Sequence, residues 1–230
     1  MILILAFLGI HSQAAITTTS ALEVLSQPQN LRVMSAKEKG SEMYPSLIQV
    51  AFSDEHSIPM RWKALTLASQ INPSGAKADL DRALRSKEWF MRNAALTAIQ
   101  ATRPELIQEV VPKLIQDKAL VVRSAAVGIL NPKLEPQMRT LLWKELNADY
   151  NFRKGQSLWV RGQIVEKLAD YPEKHEYSAF ATALRSADTT LHAPAILALE
   201  KITQKKMGTS KSSVSQKRNL WLDHVRKSLN

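Results

Sequence analysis

The sequence predicts an all-α fold, a right-handed α-solenoid of about five helical hairpins. Three observations carry that expectation. A short pattern recurs as Met60-Arg61-Trp62-Lys63-Ala64-Leu65, Met91-Arg92-Asn93-Ala94-Ala95-Leu96, Val122-Arg123-Ser124-Ala125-Ala126-Val127 and Val160-Arg161-Gly162-Gln163-Ile164-Val165. A fifth copy, Leu191-His192-Ala193-Pro194-Ala195-Ile196, has His for Arg. The marked positions are spaced 31, 31, 38 and 31 residues apart, and a fixed period of roughly 20–50 residues is the mark of stacked structural repeats. The composition agrees: 230 residues include only 7 Gly and 6% aromatics, while Ala and Leu abound, which suits a helical chain.

Each repeat holds one amphipathic helix. With the Arg or His as position zero, apolar residues recur at −1, +3, +4 and +7, as in Met91, Ala95, Leu96 and Ile99. These offsets fall on one helical stripe. The small residue common at +3 lets a neighbouring helix come close. A preceding helix is expected in each unit, over residues 42–52, 76–85, 104–116, 135–148 and 175–184. Pro104 suits a first helical turn, where its missing N–H has no partner to lose. The run Asn72-Pro73-Ser74-Gly75 reads as an inter-helix turn. One hairpin cannot bury its own stripe, so neighbouring hairpins must stack.

These segments resemble the HEAT-repeat family, in particular the short HEAT-like repeats of phycobilin lyase subunits, over residues 41–203. The resemblance implies a stack of hairpins used as an interaction scaffold. In that family the second-helix Arg pairs with an Asp of the inter-helix turn, and Asp117 stands six residues before Arg123. Ser86 and Ser186 occupy the equivalent places in two other units, so a continuous Asp–Arg ladder is not expected.

Outside the repeats, residues 1–14 (MILILAFLGIHSQA) read as a cleaved signal peptide. Their apolar run is too short to span a bilayer, and Ser12 and Ala14 fit the −3 and −1 positions of a cleavage site. The competing reading is a buried capping helix. Residues 15–40 are an N-terminal extension or cap. Residues 204–230 form a basic linker and a C-terminal helix, with Leu220, Trp221, Val225 and Leu229 on one side. From Thr203 onward seven basic residues face one acid, Asp223, so this tail carries +6 of the formal +10. It reads as a terminal cap on the last repeat, or as a basic segment that meets an acidic surface. The leader places the mature chain in a bacterial periplasm or outside the cell, with no transmembrane anchor.

The motifs of common chemistries are absent. With no Cys, disulfides, thiol nucleophiles and thiolate metal sites are excluded. The five histidines, His11, His56, His175, His192 and His224, make no HExxH-type metal cluster. There is no phosphate-binding loop, dinucleotide fingerprint or nucleophile elbow. No catalytic residue, cofactor or metal ligand is expected. The repeat arginines are read as structural, bonding turn carbonyls or acids between repeats. Interaction candidates lie beside the stripe, at positions +1 and +5: Trp62, Asn93, Thr97 and Ser124. The 38-residue interval adds seven residues, which lengthen a helix near 143–149 or form a loop over 149–157. That loop brings Tyr150, Phe152 and Arg153, residue types favoured as protein-contact anchors; simple packing is the alternative. The sequence therefore reads as an exported, non-enzymatic scaffold for an unidentified protein partner. The competing reading is a HEAT-like nucleic-acid-binding protein or DNA glycosylase, with Trp143, Asp149, Tyr150 and Trp159 as stacking groups and carboxylate; a leader argues against nucleic acid. A tetrapyrrole-lyase chaperone is a third possibility implied by the resemblance alone.

Overall fold

Several helices begin at residues that need no N–H acceptor. Pro59, Pro104 and Pro136 each stand in the first turn of a helical segment, where the N–H would have no intrahelical partner. The computed structural model describes residues 18–131 and 133–228, whose regular elements are helices apart from one two-stranded ribbon. The expected leader, residues 1–14, and Leu229 lie outside the described residues. No helix among the described residues is long and apolar enough to cross a membrane. The chain divides into two compact units, Met1–Glu109 and Val110–Asn230.

In the first unit, α1 covers residues 18–26 and α2 covers Gln29–Glu38. The expected N-terminal extension is thus a helix pair broken at Pro28, with Ala21, Val24, Leu25 and Ala36 buried. Next come α3 (Met43–Phe52) and α4 (Ile58–Ile71), then α5 (Lys77–Leu84) and α6 (Trp89–Thr102). Each of these pairs is a hairpin, α4 packs directly on α6, and α2 packs on α4. The turn between α4 and α5 closes as its residues suggest: the Asn72 side chain accepts the Gly75 N–H at 3.0 Å, the local bond that makes Asn a turn former.

The unit boundary falls within α7 (Ile107–Leu114). The second unit continues with α8 (Leu120–Gly128), α9 (Pro136–Leu146), α10 (Val160–Asp170), α11 (Tyr177–Ala183), α12 (His192–Thr203) and α13 (Val214–Ser228). Helices α8, α10 and α12 pack in sequence, with α9 on α10 and α11 on α12. The seven added residues do not lengthen α9, which stops at Leu146. They form a 3-10 turn, Asp149–Asn151, and a hairpin of β1 (Phe152–Arg153) and β2 (Gln156–Ser157). Lys154 and Gly155 have φ of 52° and 75°, and two successive left-handed residues match a type I′ turn.

The apolar stripe is buried as its phase requires. Ala64, Ala95, Ala126 and Ala195 at +3 are fully covered, as are Leu96 and Val165 at +4 and Leu168 and Leu199 at +7. Thr66, expected to be exposed at +5, is buried, because α2 packs against α4. At Gly162 an added Cβ would stand 3.1 Å from Thr190 Oγ1; this is a close approach that only Gly makes easy.

The ends of the second helices are tied one repeat back. Arg103 donates to the Pro73 carbonyl at 3.2 Å, Lys167 to Leu130 at 3.0 Å, and Lys201 to Ala169 and Asp170 at 2.8 and 2.9 Å. Each cation meets carbonyls at or just past the C-terminal end of the preceding second helix, where unpaired acceptors and the helix dipole favour positive charge.

The C-terminal helix is a packed element. Ser213 and Gln216 bond each other reciprocally, the hydroxyl accepting the Gln216 N–H at 3.2 Å and the amide oxygen accepting the Ser213 N–H at 2.7 Å, which is a capping box. Trp221 and Val225 are buried, α13 packs on α11 and α12, and Arg218 donates to the Leu184 carbonyl at 2.6 Å. Leu220, expected on the same side, is 45% exposed; it lies about 100° around the helix from Trp221.

Candidate functional site

The position-zero cations are buried and committed to structure. Arg61, Arg92, Arg123 and Arg161 are 2–6% exposed and His192 is 7% exposed. Each bonds a carbonyl of the turn before its helix or of the last turn of the preceding helix. Arg61 donates to Ala51 at 3.1 Å, Arg92 to Ser86 at 2.8 Å, Arg123 to Asp117 at 2.7 Å, Arg161 to Leu146 at 2.8 Å, and His192 Nε2 pairs with the Ser186 carbonyl at 2.9 Å. Three also reach forward by about one repeat. Arg61 forks onto Glu88 at 3.0 and 2.6 Å, Arg161 meets Asp188 at 3.0 Å, and Arg123 meets Asn151 at 2.9 Å and the Tyr150 carbonyl at 2.8 Å. The expected partner Asp117 gives Arg123 its backbone carbonyl, while its carboxylate accepts the Ala119 N–H at 2.8 Å.

Asp188 is built to stay ionised. Burial alone would raise its pKa; the Ser157 hydroxyl, the Thr190 hydroxyl and N–H, and the Arg161 charge outweigh that and hold it below the usual carboxylate range. For Arg161, burial lowers the guanidinium pKa and Asp188 pulls it back.

A second buried ion pair lies off the repeat period and escaped the sequence reading. Arg139 on α9 and Glu176, in the turn before α11, are both 3% exposed. Arg139 Nε donates to Glu176 at 2.9 Å, Nη2 donates to the same carboxylate, and Nη2 also reaches the Leu168 carbonyl at 3.1 Å. The carboxylate further accepts the Trp143 indole N–H at 2.8 Å and the Glu173 N–H at 2.8 Å. Burial raises the Glu176 pKa, but these donors and the Arg139 charge bring it below the usual range. The only sequence signal was Arg and Glu within otherwise apolar helical stretches, a pattern shared by many solvated side chains.

The seven sequence-chosen interaction residues fall into three places. Trp62, Asn93 and Thr97 come together in the first unit, on the wall of a groove of about 530 Å³ formed by α2, α4 and α6. Trp89, which the sequence reading passed over, lines the same groove and is 47% exposed. An apolar residue three places before the repeat Arg, off the buried stripe, was the available signal. In the second unit Ser124 is half-buried, donates to Gln163 at 2.8 Å and accepts the Trp159 indole N–H at 3.0 Å. The insertion holds the rest. Tyr150 packs its ring 4.9 Å from the Arg123 guanidinium and donates its hydroxyl to buried Glu145, yet stays 44% exposed. Burial and that carboxylate push the Tyr150 phenol up to about 12. Phe152 sits 4.4 Å under Arg161. Arg153 is exposed on the hairpin.

Of the groups named for a base-excision chemistry, Tyr150 and Trp159 are 44% and 54% exposed. Trp143 is engaged with Glu176 and stacks edge-on to Phe180 at 5.0 Å, while Asp149 is exposed. Among the described residues no group of three or more His, Asp or Glu is placed to hold a metal ion. No protein-family model and no curated protein matches this chain.

Proposed function

We propose that this chain is an exported, non-enzymatic α-solenoid of HEAT-like hairpins whose second helices present a surface to a protein partner. The observation that carries the reading is the division of labour along α4 and α6. Arg61 and Arg92 are buried and consumed in fastening the hairpins. Their neighbours Trp62, Asn93 and Thr97 share one groove wall. Among the described residues no Asp, Glu or His lines that groove, so they offer contact area and hydrogen bonds rather than a group that exchanges protons near neutral pH. Bonds that tie each second helix to segments one repeat away support the solenoid reading, since a stack gains its stability from nearest-neighbour interfaces. The insertion hairpin is a second contact surface: Arg153 and the half-exposed Tyr150 are residue types that anchor interfaces. Export rests on residues 1–14.

Crosslinking in the native host, followed by purification and mass spectrometry, tests the reading. A discrete protein should be captured by the full chain and lost from either the Trp62→Ala/Asn93→Ala or the Tyr150→Ala/Phe152→Ala chain. Capture unaffected by both pairs contradicts these surfaces. The mass of the mature N-terminus tests export: cleavage after Ala14 is expected, and an intact leader on the native protein contradicts it.

A further inference from the structure

The groove of the first unit has a one-signed charge that narrows the partner's chemistry, given the protein-binding reading above. Its floor and walls are largely apolar, with Ile58 and Trp89 at 51% and 47% exposure and Trp62 beside them. Its charged lining residues among those described are Arg32 from α2 and Lys63 from α4, and no described carboxylate lines it. Arg32 spends Nη2 on the Gln27 carbonyl at 2.8 Å, and its Nε has no hydrogen-bond partner among the described residues. Lys63 forms no ion pair among the described residues. Elsewhere in this unit Arg61 meets Glu88 and Asp54, Lys77 meets Asp81, and Arg103 meets Glu105. Two cations without ion pairs among the described residues, beside half-buried Trp62 and exposed Trp89, leave an anionic, apolar occupant as the complement.

We infer that this groove binds an extended peptide segment of the partner that sets an Asp or Glu beside apolar side chains. The carboxylate meets Lys63 and Arg32, an apolar side chain lies against Trp62 and Trp89, and the Asn93 amide serves the peptide backbone. Packed helices stand about 8–10 Å apart, so a groove over three helices is crossed by about five or six extended residues at ~3.3 Å each. A single-stranded nucleic acid would also stack on indoles, but it brings a phosphate with every nucleotide against two cations and apolar walls.

Panning a random dodecapeptide display library on the immobilised full chain, in parallel with the Trp89→Ala chain, tests this. The wild type should enrich peptides with Asp or Glu next to Leu, Phe or Tyr, and the Trp89→Ala chain should not. A labelled lead peptide, followed by fluorescence anisotropy, should bind Trp89→Ala and Lys63→Glu chains at least tenfold more weakly. Exchange of its acids for Lys should restore binding to Lys63→Glu. Trp89 is exposed and Lys63 half-buried, and melting curves verify that each variant is folded; the charge reversal stands without the Trp variant. No enrichment over Trp89→Ala, a neutral or basic consensus, or displacement of the lead peptide by a dT dodecamer overturns the inference. Capture of the native partner that survives Trp89→Ala but is lost with Tyr150→Ala/Phe152→Ala leaves the scaffold reading standing and this inference refuted.

Discussion

At the residue scale, the sequence marked the repeat arginines but not what they hold. Their positions recur at a fixed period, and the structural reading of them agrees with burial of every copy. Their forward partners Glu88, Asn151 and Asp188 lie 27 or 28 residues on, outside any motif window, and one of the three is not an acid. The Arg139–Glu176 pair was illegible for a different reason: burial, not residue type, makes it matter. Breaking such a pair from one side leaves a buried charge without its partner and costs about 3–5 kcal/mol. Urea unfolding of Glu176→Ala is therefore expected to show a loss of that size, with Arg139→Met/Glu176→Leu recovering most of it. A loss below about 1 kcal/mol in Glu176→Ala would mean that the pair is solvated. Core and groove separate in the same way. Leu96→Ala should cost about 2–5 kcal/mol, and Thr97→Ala, whose half-buried hydroxyl bonds the Asn93 carbonyl, less than about 1 kcal/mol. Equal losses would put the helix phase in error.

Elements show the same contrast between periodic and singular features. Helices were legible because their stripe repeats, and the capping proline at 104 and the turn at Asn72 have local chemical causes. The insertion hairpin was not, since its strands are two residues each and its turn uses Lys-Gly rather than the common Asn-Gly. Gly155, at φ 75°, is the residue that most needs to be glycine there. Gly155→Val should speed hydrogen exchange over residues 152–157 while leaving the unfolding midpoint within about 0.5 kcal/mol, because the tip is exposed. Unchanged local exchange would show that the turn adopts another geometry. Tyr150→Phe removes the hydroxyl that serves buried Glu145, and a loss of about 1–3 kcal/mol is expected by denaturant titration.

On the scale of the whole molecule, the sequence disclosed an all-helical chain, and the division at Glu109 and Val110 left no mark in it. The repeat period runs through that point unchanged, from Arg92 to Arg123. The two units are expected to differ in their response to acid. Glu176 and Asp188, both in the second, are held below their ordinary values of 4.5 and 3.8. A carboxylate with a lowered folded pKa stabilises fully above its unfolded value and loses that contribution as pH falls through the folded one. In the first unit the carboxylate held low is Glu105, whose side chain is 58% exposed, so its screened pairing adds little. Hydrogen exchange on lowering the pH from 5 to 2, corrected for intrinsic rates, should open the second unit first. Earlier or simultaneous opening of the first would contradict that assignment.

A partner protein is proposed to sit on the face of the second helices, which buried cations hold in place. Photocrosslinking from a benzophenone amino acid placed at Asn93, on the groove wall, and separately at exposed Ala78 on α5 tests it in the native host. A discrete protein adduct is expected from position 93 and none from position 78. No adduct at 93, or the same adducts from both positions, would contradict it.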